Sequence, residues 1–208
     1  MNFTKVLAGA LVLSACAQAP EQKPAMDEAN AVVKLLQAGG YVIVFRHGGT
    51  NRDMADTDPL NLNNVAKQRQ LSERGRQQAR DVGAALKTLQ IPIGQVYTSQ
   101  FYRAVETGRL VSGKEVTPTA DVSEGGQVVT PIENDRRTDA FRKLVATAPS
   151  AGTNTLIVSH KPNILDAFGK DWFDVREGEA SVFRPESGKY VLVARLQASE
   201  WLQLAKQR

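Results

Sequence analysis

Tyr41-Val42-Ile43-Val44-Phe45-Arg46-His47-Gly48 is the stretch on which the fold turns. Its first five residues are apolar without a break and are all β-branched or aromatic. A strand with one wet face alternates apolar and polar residues, whereas a continuous run fits a strand covered on both faces, as in a parallel sheet. Arg46 and His47 then stand at and just past the carboxyl end of that strand. In open α/β sheets, sites form in the crevice outside those ends. Gly48 opens a polar stretch that runs to Gln70, rich in Asn and Asp and broken by Pro59. It is long for a connection inside a compact domain, and long loops are often functional.

Outward from this strand the chain alternates. Residues 27–37 carry helical periodicity through Ala29, Val32, Val33, Leu35 and Leu36, and Gly39-Gly40 stops it. Ser72 opens a second helix with Glu73 in its first turn, and Ile91-Pro92 ends it. Residues 95–99 read as a strand, 101–111 as a helix, 116–119 as a short strand and 134–148 as a helix that starts basic. Residues 155–159 form a third buried strand and 164–168 a short helix. Residues 181–184 and 190–196 read as a hairpin about Ser187-Gly188. Alternation with unpatterned strands predicts an α/β fold: a three-layer α/β/α sandwich around a mainly parallel sheet.

The chain has 208 residues, 42% hydrophobic and 23% charged, ordinary for one globular domain. Its net charge of +4 suits anionic small substrates or an anionic surface and equally a merely basic surface. No Arg/Lys run interleaved with aromatics is present, so nucleic acid is not expected as a partner.

Residues 1–15 do not read as part of the fold. Lys5 precedes a short apolar run, residues 6–13, far below the roughly 20 residues that span a bilayer. Leu13-Ser14-Ala15-Cys16 resembles a bacterial lipoprotein signal ending at an acylated cysteine. The alternative is a plain secretory signal cleaved near Ala15, or after Ala17 or Ala19. On the first reading, residues 16–26 are a lipid-bearing cysteine and a proline-punctuated tether, and residues 27–208 are the domain. The expected place is the cell envelope, facing the periplasm. Ala17 points to the outer membrane, since it replaces the aspartate usual for inner-membrane retention. Cys16 is the only cysteine, so its acylation would leave no thiol for cysteine-based catalysis or disulfides.

Two histidines occur, each just beyond an apolar strand: Phe45-Arg46-His47 and Val158-Ser159-His160. Neighbouring strands would bring both to one crevice, and Arg103 follows a third strand at the start of its helix. Together Arg46-His47-Gly48, the segment Tyr97-Thr98-Ser99-Gln100-Phe101-Tyr102-Arg103-Ala104-Val105-Glu106-Thr107, and Ser159-His160 resemble the histidine phosphatase superfamily, which includes phosphoglycerate mutases and acid phosphatases. The resemblance covers roughly residues 40–197 and implies a phosphoglycerate mutase-like fold.

The resemblance also implies roles. His47 would attack phosphorus and form a covalent phosphohistidine. Arg46 and Arg103 would present planar forks of donors to the phosphate. His160 would complete a cationic pocket needing neither metal nor cofactor. Ser99 and Thr107 match the family pattern but also read as turn and helix-packing residues. The phytase-like branch carries an acid directly after the second histidine, where this chain has Lys161. Lys161 is therefore a candidate substrate contact or a strand-end cap. The mutase-like branch takes its acid from the segment between the second arginine and the last histidine, and Glu124 fits best there. Glu106, one turn after Arg103, reads as that arginine's structural partner, and Asn163 as a supporting donor.

The expected function is an envelope phosphatase acting on phosphomonoesters, such as a phosphorylated small molecule or envelope sugar. One rival is a catalytically silent lipoprotein binding phosphorylated sugars or lipid head groups in the same pocket. Another is a metal-dependent hydrolase using both histidines and a carboxylate such as Asp53.

Overall fold

The computed structural model describes residues 26–125 and 128–208. The expected signal, Cys16 and the tether through residue 25 lie outside the described residues. Met26, expected to end the tether, instead begins the first helix.

Six strands form one sheet: β1 (Val42–Arg46), β2 (Ile93–Ser99), β3 (Thr117–Thr119), β4 (Asn154–Ser159), β5 (Ala180–Glu186) and β6 (Lys189–Leu196). Their order is β3-β2-β4-β1-β5-β6. The first four are mutually parallel, and β5 and β6 join as an antiparallel hairpin at one edge. The sheet is thus mainly parallel, as the apolar runs imply. Val42, Ile43, Val44 and Phe45 are all at most 1% exposed. Ile43 and Phe45 join one core cluster, while Val42 and Val44 join another on the opposite face. Each such side chain removed from water contributes roughly 1.5–3 kcal/mol.

The helices are α1 (Met26–Ala38), α2 (Glu73–Thr88), α3 (Tyr102–Ser112), α4 (Pro131–Val145), α5 (Lys161–Phe168) and α6 (Ala198–Ala205). The cluster with Ile43 and Phe45 takes side chains from α1, α2, α3 and α6, and the opposite cluster takes them from α4 and α5. This is the expected three-layer arrangement.

Two helix starts and one whole helix depart furthest from the sequence reading. Helix α4 runs three residues earlier than 134–148 because Thr130 caps it, accepting from the Glu133 N–H, and Pro131 occupies its first turn. Proline there lacks only a donor that would be unpaired anyway. Helix α5 likewise begins at Lys161 rather than 164, with Pro162 in its first turn. Helix α6 was not foreseen. Eight residues make a marginal helix alone, but Trp201 and Leu204 are each 1% exposed in the core. The Glu200 carboxylate also accepts from the Gln197 N–H at 2.7 Å.

Candidate active site

Parallel pairing of β1 with β4 sets Arg46 opposite Ser159, so the next residue on each strand is a histidine. The His47 and His160 rings lie 5.0 Å apart, edge to face, and both are buried. His47 is anchored by its N–H to the Ser159 carbonyl at 3.1 Å. Its Nδ1 lies 2.8 Å from the Gly48 carbonyl oxygen, which can only accept. The ring proton therefore sits on Nδ1, and Nε2 carries a free lone pair.

The glycines after His47 allow a close approach that holds this geometry. Ser72 caps α2 and donates both its N–H and its hydroxyl to the Gly49 carbonyl, at 2.9 and 3.1 Å. Gly75 then packs so tightly on this loop that a Cβ there would lie 2.0 Å from the Gly49 oxygen. Thr107 closes the other side: it donates to the Arg103 carbonyl at 2.7 Å and accepts from the Gly48 N–H at 3.1 Å.

His160 is oriented by Ser99, whose Oγ lies 2.7 Å from Nε2. The same Oγ accepts from the Phe101 N–H at 3.2 Å. The hydroxyl's own proton is then available to His160 Nε2 in the tautomer that carries its ring proton on Nδ1. That atom is buried without a partner and lies 3.5 Å from Glu124 Oε1. Ser99 is thus more than a turn residue, since it orients the second histidine.

Arg103 is fully buried at the start of α3. Nη1 donates to Asp56 Oδ1 at 2.9 Å, and Nη2 donates to Glu124. The expected partner, Glu106, is not used. It accepts instead from Arg76 Nε on α2 at 2.8 Å, because its face of the helix packs on α2 while Arg103 faces the sheet's carboxyl end. Arg46 donates through Nη1 to the Val175 carbonyl at 2.6 Å, and its Nη2 lies 3.8 Å from Glu177. The structure thus brings Arg46, His47, Arg103, Glu124 and His160 together. Lys161 is set apart from them by its own contact, an ammonium 4.5 Å over the Phe173 ring. Asn163 donates to the Ser123 carbonyl at 3.0 Å, a supporting bond on the loop before Glu124. Asp53 is exposed, and no cluster of three His, Cys, Asp or Glu that could hold a metal occurs among the described residues.

Two site residues escaped the sequence reading, both in the polar 48–70 stretch. Asp56 bridges the Arg103 guanidinium and the Arg69 N–H, each at 2.9 Å. That bridge ties the loop carrying Arg69 to the pocket floor. The Arg69 charge lowers the proton affinity of both His160 and Arg46. A lone arginine in a polar loop reads as surface charge, and no local pattern marks it otherwise.

Electrostatics follow from burial and crowding. Burial, then the neighbouring His160, Arg103 and Arg46, hold His47 well below the ordinary histidine range. Burial, then Arg103, Arg69 and Arg46, do the same to His160. Both imidazoles are therefore neutral at neutral pH. Buried nitrogens without partners include Arg46 Nε, Arg69 Nε, Arg103 Nε and His160 Nδ1. A buried donor left unpaired costs about 1–3 kcal/mol, so this crevice favours an acceptor-rich anion.

Fold and site together resemble those of the histidine phosphatase superfamily. Residues 42–126 match the family model of that superfamily, branch 1, as the motif resemblance implied. Among solved structures, the protein histidine phosphatase SixA complexed with tungstate superposes with a TM-score of 0.52 at 19% identity, covering 76% of this chain and 97% of that one. Phosphoserine phosphatase from Entamoeba histolytica, in complex with 3-phosphoglyceric acid, gives 0.53 at 18% identity, covering 78% and 99%. A mycobacterial glucosyl-3-phosphoglycerate phosphatase in complex with VO3 gives 0.52 at 17% identity, covering 74% and 97%. At these identities the likeness speaks for the fold. No protein of curated function matches in sequence.

Proposed function

We propose that the protein is a phosphatase that hydrolyses phosphomonoesters through a phosphohistidine on His47. One observation carries the reading: a buried, neutral imidazole with its Nε2 lone pair free, ringed by Arg46, Arg103 and His160. Phosphoryl transfer asks a protein chiefly for position and charge stabilisation. His47 Nε2 bonds to phosphorus in line as the P–O ester bond breaks, while the Gly48 carbonyl stabilises the positive charge that grows on the ring. Glu124 gives its proton to the leaving oxygen. Water then attacks phosphorus and returns a proton to Glu124, the P–N bond breaks, and inorganic phosphate leaves. The arginines and the His160 Nδ1–H hold the phosphoryl oxygens throughout, so the chemistry runs without a metal. The neighbours named as phosphatases, and their complexes with tungstate and VO3, support the same reading. The lipoprotein-like sequence around Cys16 supports a place in the cell envelope, which metabolic labelling with a fatty acid, lost in Cys16→Ser, would test.

The experiment is steady-state hydrolysis of an aryl phosphate in excess chelator, beside His47→Ala. Chelator-resistant turnover that disappears in the variant is expected. Equal rates in both proteins would remove His47 as nucleophile. Absence of turnover by the folded protein would leave a phosphate-binding protein instead.

A further inference from the structure

Beside the phosphate crevice lies a second cavity of about 400 Å³, between the start of α4 and the start of α5. Glu124 belongs to both: it bonds Arg103 on one side and lines the cavity on the other, with Val129, Pro131, Asn134, Asn163 and Asp166. Glu124 thus stands between the phosphoryl centre and this space.

The polar lining is weighted to acceptors. Asn163 is 5% exposed, and its amide orientation is set by donation from Nδ2 to the Ser123 carbonyl. Its Oδ1 is thereby fixed as an acceptor, buried and without a partner. Asp166 adds a carboxylate whose Oδ2 accepts from Asn134 Nδ2 at 3.1 Å, which engages the amide donor of that asparagine. Among the described residues no Lys or Arg lines the cavity, and the nearby cations are engaged in other bonds. Arg142 donates to the Ala167 and Asp166 carbonyls and Arg137 pairs with Glu133. The Lys161 ammonium lies over Phe173.

We propose that this cavity is the leaving-group subsite and that it selects an alcohol carrying further hydrogen-bond donors and no negative charge. The inference rests on the phosphatase reading for what a leaving group is. The hydroxyls of such an alcohol satisfy Asn163 Oδ1 and Asp166, whereas a carboxylate in the same place meets the Asp166 carboxylate and the Asn163 carbonyl oxygen with no Lys or Arg in the described lining to offset them.

Glycerol 3-phosphate and 3-phosphoglycerate share a three-carbon skeleton and differ by a CH2OH in place of a carboxylate. Their affinities are measured by calorimetry on the full chain carrying His47→Ala, which needs no turnover. Glycerol 3-phosphate is expected to bind at least tenfold more tightly. Adding Asp166→Lys, at an exposed position that tolerates the change, is expected to bring the ratio to unity or invert it. Asn163→Leu is expected to lower it by weakening the glycerol ester. Equal affinities, a preference for the carboxylate, no measurable binding of either ester, or a ratio unmoved by Asp166→Lys overturns the assignment. An intact preference in a protein whose unmutated form turns over no ester would instead strike the phosphatase reading alone.

Discussion

Replacing Glu124 by Gln separates two duties that the structure assigns to one carboxylate. The amide keeps the size and an oxygen for Arg103, but it can neither carry the negative charge nor deliver a proton. On the stability side, Arg103 is fully buried and held by Asp56 and Glu124. Breaking a buried pair costs about 3–5 kcal/mol. Glu124 keeps 19% of its side chain exposed, and Gln still accepts, so the expected cost falls to about 1–2 kcal/mol. For a domain of this size that lowers Tm by roughly 3–6 °C. On the catalytic side, a positioned general acid contributes roughly 10²–10⁴-fold where the leaving group needs a proton. A nitrophenolate departs without one. The variant should therefore lose about 10²–10⁴-fold in kcat/KM on an alkyl phosphate. On 4-nitrophenyl phosphate it should lose less than about tenfold, the residue of a loosened Arg103. Steady-state kinetics with the two esters on the same preparation reads the difference. Equal losses on both would place Glu124 in phosphate binding alone, and no loss on either would remove it from the site.

Other perturbations test the electrostatics and the packing. Both histidines titrate well below their unfolded value, so below about pH 6.5 the unfolded chain takes up protons that the native one refuses. Stability present above that value is lost as pH falls, by up to about 2.7 kcal/mol per unit for the two sites. Urea unfolding of the wild type and of His160→Asn should give a shallower slope in the variant, and identical slopes would contradict neutral burial. Arg69→Met should weaken inorganic phosphate binding about tenfold or more, the worth of one charge-assisted hydrogen bond. An unchanged calorimetric affinity would put Arg69 outside the pocket. Gly75→Ala drives a methyl into the Gly49 carbonyl and should cost about 1–3 kcal/mol together with turnover. A variant stable and active at wild-type levels would mean that the loop yields freely.

Local signals announced most of the framework. The unbroken run from Val42 to Phe45 carried the message that this strand is buried on both faces, because only a side chain facing lipid-like core on either side need be apolar at every position. The Ser72 cap and the histidines at two strand ends were legible for the same reason: each is a short-range pattern tied to the period of the backbone. Where local rules pull two ways, the reading faltered. Pro131 and Pro162 are breakers inside a helix and starters at its first turn, and the starts of α4 and α5 depended on which applied.

Sequence alone determined that an α/β sandwich would carry Arg46, His47, Arg103 and His160 toward one crevice, since strand ends and helix starts are written in residue type and spacing. Tertiary structure decided the pairings between distant segments. Asp56 and Glu124, not Glu106, hold Arg103; Ser99 orients His160; Arg69 bears on the pocket; and Glu124 joins it to the acceptor-lined cavity. Those pairings depend on where the 48–70 loop and the start of α4 fold back over the sheet. A helix or strand period does not encode that path, because it results from the packing of segments far apart in the chain.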